Sequence, residues 1–189
     1  MKTKDLRVII WQYYAHNFFR QLAFFTAVLI PFFTQWGGIT VFQAQALQSW
    51  FMLWAFVLEV PTGAIADVIG RKYSLAVGAA FAVIGALVYG SIPRFEVFLL
   101  GEVLFAAGVA CTSGADEAFL YDTLKSAGKE RMAKTIMTRA HAIMLSGIMV
   151  AALTGSVIAS QFGLNAPILL SAIPFAIAAF IALLLPEPP

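Results

Sequence analysis

An all-α polytopic membrane protein of about six transmembrane spans is the fold this sequence predicts, and three observations carry the expectation. The chain is 61% hydrophobic and only 12% charged, with a mean hydropathy of +0.86, whereas soluble domains run at roughly 45–50% apolar and 25% charged. A spanning helix takes about 20 apolar residues, so 189 residues with short connections hold about six. Charges and turn residues cut the chain into that number of apolar runs.

The first run, 8–34, is too long for a cleavable signal and contains Arg20. The second, 41–62, ends at a charged, glycine-bearing hinge. The third, 73–92, carries Gly78, Ala82, Ala86 and Gly90 at every fourth position. The fourth, 95–121, runs into an acidic string. The fifth, 135–162, repeats the small-residue stripe at Gly147, Ala151, Gly155 and Ala159, and the sixth, 167–185, is stopped by Pro186-Glu187-Pro188-Pro189. Helices in lipid associate by close packing at small residues, because lipid tails are as apolar as Leu. Each stripe therefore predicts a flat face for a neighbouring backbone. The single cysteine, Cys111, lies inside an apolar run, so disulfides play no part.

Orientation follows from the excess of Lys and Arg in cytoplasmic loops. Lys2, Lys4, Arg7, Arg71, Lys72, Lys125, Lys129, Arg131, Lys134 and Arg139 fall at the amino terminus, the second connection or the fourth connection and its helix ends. With six spans these share one face, and the opposite connections carry only Arg94. Both termini are expected in the cytoplasm, with the chain integral to the plasma (inner) membrane. Trp11, Trp36, Tyr73 and Tyr121 fall near span ends, where amphipathic rings favour the interface.

Between the second and third runs stands Gly-Ala-Ile-Ala-Asp-Val-Ile-Gly-Arg-Lys, residues 63–72. Gly63 would let the end of the second helix approach another helix, Gly70 would supply the turn, and Asp67 would present a carboxylate at the surface. Arg71 and Lys72 oppose translocation of the loop. From the residues alone, a topology anchor and a switching element are equally good readings. The segment resembles the Gly-x-x-x-Asp-x-x-Gly-Arg-Lys signature of the major facilitator superfamily at Gly63, Asp67, Gly70, Arg71 and Lys72. The acidic string Thr112-Ser113-Gly114-Ala115-Asp116-Glu117-Ala118-Phe119-Leu120-Tyr121-Asp122 is similar to that of a subset of the same superfamily.

The resemblance covers essentially the whole chain as an amino-terminal half. It implies two inverted three-helix repeats, 8–92 and 95–185, in one six-helix bundle. It also implies a cytoplasmic gate, in which Asp67 approaches a helix amino terminus in the opposite half while Arg71 pairs with an acid near the end of the fourth helix. Asp122 is the first choice for that acid and Asp116 the second. The opposite half is either covalent, in a longer protein, or a second copy in a homodimer.

The first run bears a second constellation. Tyr13, His16, Asn17, Arg20 and Phe24 recur at steps of three or four and form one polar and aromatic helical stripe. Arg20 lies about 12 residues into the run, roughly 18 Å at 1.5 Å per residue. A charge so deep faces protein or an aqueous cavity. Glu102 enters from the other side at similar depth, so an Arg20–Glu102 pair, direct or water-bridged, is expected, as a static lock between helices or as a cavity lining for substrate or protons. Many members of the resembled family place an Arg where Glu102 stands.

Glu59, His141 and the glutamines 43, 45 and 48 read as interfacial or helix-contact groups, while Trp50 and Trp54 suit a pocket or lipid equally. The chain has no His-Glu-x-x-His zinc motif and no Gly-x-Ser-x-Gly nucleophile turn, so an enzyme is not expected, nor a metal, cofactor or nucleic-acid partner. Its partners are the lipid bilayer and a small-molecule substrate, with or without protons. The expectation is a secondary transporter, or the amino-terminal half of one, working by alternating access. The alternative is a non-transporting assembly or receptor subunit of similar fold. The fifth run lacks the Gly-Pro-x-x-Gly-Gly pattern of many drug antiporters.

Overall fold

A computed structural model describes residues 3–188, with the side chains of residues 3–5, 65 and 67 outside that description. Among the described residues the architecture is all-α. Seven helices exceed one turn: α1 Thr3–Arg20, α2 Val41–Ile69, α3 Arg71–Tyr89, α4 Phe95–Thr112, α5 Ala115–Ser126, α6 Ala133–Phe162 and α7 Ala166–Leu184. Five stretches are long and apolar enough to cross a membrane, namely Val41–Ala64, Arg71–Tyr89, Phe95–Ser126, Glu130–Phe162 and Ala166–Leu184.

The first predicted span is not one continuous helix. α1 ends at Arg20, residues 21–25 are non-helical, and short 3-10, α and π turns follow over Thr26–Val28, Leu29–Pro31 and Phe32–Trp36. Tertiary contacts hold this stretch in place. The Phe24 N–H donates to Ser171 Oγ of α7 at 2.9 Å instead of to its own helix. Gly147 and Gly155 of α6 let the same stretch come close, since a Cβ at Gly147 would stand 2.9 Å from the Phe18 carbonyl oxygen and one at Gly155 would overlap that of Phe24. The small-residue stripe of α6 thus receives backbone, as close packing in lipid favours.

The second predicted span also changes. α2 runs through Pro61 to Ile69, so Gly63 and Asp67 lie on the helix and the turn is a single residue, Gly70, at φ 104°. That left-handed conformation suits glycine. The fourth predicted span breaks at Ser113-Gly114, with Gly114 at φ 72°, into α4 and α5. α2 begins with a reciprocal cap: the Gln43 N–H donates to Thr40 Oγ1 at 3.2 Å and the Thr40 N–H to Gln43 Oε1 at 2.9 Å.

α3 is central, packing chiefly on α4 and α7, while α1 packs on α7 and α6, and α2 on α4. Gly78 and Gly108 set the α3–α4 distance, because a Cβ on either would lie 2.8 Å from the other's carbonyl oxygen. One core cluster joins Leu6, Tyr13, Leu75, Phe119, Leu124 and Leu185. A second, more aromatic one joins Phe32, Phe33, Leu47, Tyr89, Phe98 and Ile168. α2 and α6 are largely uncovered, with 11% and 17% of their most apolar windows buried against 44% for the other three spans.

Candidate functional site

A cavity of about 390 Å³ lies among the end of α1 and helices α2, α3, α4 and α7. Its polar lining is Arg20, Gln21, Gln48, Tyr89, Glu102 and Thr112, and Phe25, Phe51, Phe105 and Phe175 supply aromatic walls. Glu102 is 5% exposed. Its Oε1 accepts the Tyr89 hydroxyl at 2.7 Å and the Gln48 amide at 3.2 Å, so three helices converge on one carboxyl through neutral donors. The Tyr89 ring is held there by Gly101, where a Cβ would overlap the ring edge.

Arg20 lines the same cavity, yet the direct form of the expected Arg20–Glu102 pair is corrected. Arg20 Nη2 instead meets Asp116 Oδ2 at 3.1 Å and Asn17 Oδ1 at 3.3 Å. Asn17 Nδ2 donates to the Tyr13 carbonyl at 3.1 Å and reaches Asp116 Oδ1 at 3.4 Å. The physical reason is the helix break at Gly114, which starts a new helix and puts Asp116 in its first turn facing α1, where a helix favours an acid. Asp116 is accordingly engaged with Arg20, away from the role of second choice for Arg71.

The rest of the α1 stripe divides. Tyr13, His16 and Asn17 are buried but do not line the cavity. Tyr13 stacks on Phe119 of α5, ring centres 6.1 Å apart. His16 Nδ1 donates to the Ala178 carbonyl of α7 at 2.9 Å, and its Nε2, like Arg20 Nε, is buried without a hydrogen-bond partner among the described residues. Phe24 falls beyond the end of α1 and leaves the stripe altogether. Sequence reasoning missed Tyr89, a lone phenol in an apolar run, and placed Gln48 among interfacial or helix-contact groups, of which the structure shows the helix contact, to Glu102 of α4. Polar residues inside apolar runs were the available signal for both.

At the α2–α3 turn, Arg71 Nε lies 3.7 Å from Asp122 Oδ2 of α5. The side chain of Asp67 lies outside the described residues. Lys72 Nζ sits 5.0 Å from the centre of the Tyr73 ring. The backbone N–H groups of Arg71 and Lys72, at the amino terminus of α3, both donate to the carboxylate of Glu187, at 2.5 and 3.1 Å. A Cβ at Gly70 would press on that carboxylate, 2.7 Å from its carbon. Gly63 faces open space, with nothing within 4 Å of a Cβ built there.

Residues 15–189 match the family model described as Major Facilitator Superfamily. Over 96 residues, 49% of the chain, the sequence is 29% identical to the L-fucose-proton symporter of Escherichia coli (strain K12), covering 22% of that protein. Over 97 residues, 51% of the chain, it is 25% identical to the D-xylose-proton symporter-like 1 of Arabidopsis thaliana, covering 19% of that protein. The matched part thus spans about a fifth of the length of these curated relatives.

Proposed function

The chain belongs to the Major Facilitator Superfamily, and on that premise we propose that it moves a small molecule across a membrane by alternating access. The unit is a six-helix body of two inverted repeats, 8–92 and 95–185, working against a second such body, covalent or a second copy. The plasma (inner) membrane with both termini cytoplasmic is the proposed setting. The observation that supports transport most directly is a cavity of about 390 Å³ in which a carboxyl and a guanidinium face the same space between apolar spans. Ionisable groups at such depth mark substrate or ion pathways.

The substrate class we propose is a small polyhydroxylated molecule carried with a proton. Gln21, Gln48, Arg20 and Glu102 offer hydrogen bonds of both signs, and the phenylalanines give flat apolar faces suited to a ring. Of the two relatives named above, one is an L-fucose-proton symporter and the other is described as D-xylose-proton symporter-like. Glu102 is the proton carrier in this reading, because among the described residues its hydrogen bonds come from the neutral donors Tyr89 and Gln48, which its Oε1 can accept in either protonation state. Gly63, Asp67, Gly70, Arg71, Lys72 and Asp122 form the cytoplasmic gate.

The test is flux in proteoliposomes. Pentoses and deoxyhexoses, radiolabelled, are offered with and without an imposed inward proton gradient. Uptake that rises with the gradient and is lost in Glu102→Gln supports the reading. Absence of uptake for every sugar, with the protein folded, would sink it in favour of a non-transporting subunit.

A further inference from the structure

We propose that Asp116 is a positioning residue that couples the cavity to the α2–α3 turn, with α5 as the moving part between them. The juxtaposition is specific. α5 is a separate twelve-residue helix, set off from α4 by Gly114, whose left-handed φ of 72° and open surroundings make it a backbone joint rather than a packing contact. At one end Asp116 grips Arg20, which lines the cavity. Six residues later, about 9 Å along the helix axis at 1.5 Å per residue, Asp122 lies beside Arg71 at the start of α3. One short rigid element therefore touches both the cavity cation and the turn.

The chemistry gives the element two positions. With the cavity empty, Arg20 supplies the positive partner and α5 stays seated. A solute that offers hydrogen-bond acceptors to the guanidinium draws Arg20 into the cavity and leaves the Asp116 carboxylate with neutral partners, the Asn17 amide and the Tyr13 hydroxyl. A carboxylate so placed within the membrane, without its cation, is costly. α5 relieves that cost by pivoting at Gly114 toward water, which carries Asp122 away from Arg71. Coupling of this kind requires that the solute interact differently with the two positions, and Arg20 is the group that makes the difference. The inference rests on the transporter reading for its purpose, but its test needs no transport.

The experiment is pulsed electron paramagnetic resonance on the full chain in lipid nanodiscs. Spin labels go on Ile84→Cys of α3 and Lys125→Cys of α5, both exposed positions, in a Cys111→Ser background. Arg20→Gln mimics withdrawal of the cation, and should lengthen the α3–α5 distance by roughly 3 Å, about half a helical turn. Asp122→Asn should lengthen it with Arg20 intact. The double variant Arg20→Gln, Asp116→Asn removes the stranded charge and should return the distance to that of the parent. If Arg20→Gln does not fold, Arg20→Lys keeps the charge with a weaker grip and should give a smaller lengthening. An unchanged distance in the Arg20 variants makes the pair a fixed strut and overturns the proposal, as does a lengthening that the double variant fails to reverse. Failure of sugar flux with this distance response intact would overturn the transport reading alone.

Discussion

The hydroxyl of Tyr89 donates to the carboxyl of Glu102 at 2.7 Å, joining α3 to α4 inside the cavity. A buried hydrogen bond to a carboxyl contributes about 1.5–3 kcal/mol when that group is charged and less when it is neutral. Tyr89→Phe keeps the aromatic packing of the cluster and removes only the donor. We expect a loss of about 1 kcal/mol in thermal stability, with helical content unchanged, and weaker proton dependence of any flux. A variant as stable as the parent would argue that the bond contributes nothing.

Arg20 and Asp116 should behave as a coupled pair and Arg20 and Glu102 as an uncoupled one. Removing one partner of an ion pair strands the other, so each single alanine variant costs more than its share of the double. With side chains 19% and 18% exposed, the coupling is expected near 1 kcal/mol, below that of a fully buried pair. Denaturation midpoints of the two double-mutant cycles decide it. Additivity in the Arg20/Asp116 cycle would contradict the contact.

The glycines separate internal packing from an open face. Gly155→Ala must displace the Phe24 carbonyl, and overpacking of this sort costs about 1–3 kcal/mol. Gly63→Ala meets nothing within 4 Å and should change the stability of the bundle by less than about 0.5 kcal/mol. If α2 faces a second six-helix body, the same Gly63 variant should still impair flux. Equal melting losses in both variants would contradict this division.

Glu187 neutralises the positive end of α3 through two backbone N–H groups. Glu187→Gln keeps an acceptor but loses the charge, and should cost about 0.3–1 kcal/mol at low salt, shrinking as salt is added. Melting temperature measured at two ionic strengths checks this. A salt-independent loss would assign the effect to packing against Gly70.

What the sequence determined by itself is what the bilayer imposes on any chain. Apolar runs of spanning length fixed the all-α class and the third, fifth and sixth helices nearly to their ends, because backbone groups in lipid must bond within their own segment. The stripes of glycine and alanine likewise marked where backbones approach, and the hinge motif marked the family. The tertiary structure alone decided where the long runs break. α1 stops at Arg20, and beyond it Ser171, a residue 147 positions from Phe24 in the chain, takes up the Phe24 backbone N–H. The fourth run divides at Gly114, and that division, invisible to hydropathy, turned Asp116 toward Arg20 and left Glu102 to Tyr89 and Gln48. Hydropathy reports how costly each residue is in lipid, while the choice among buried polar partners depends on distances across helices that no local pattern encodes.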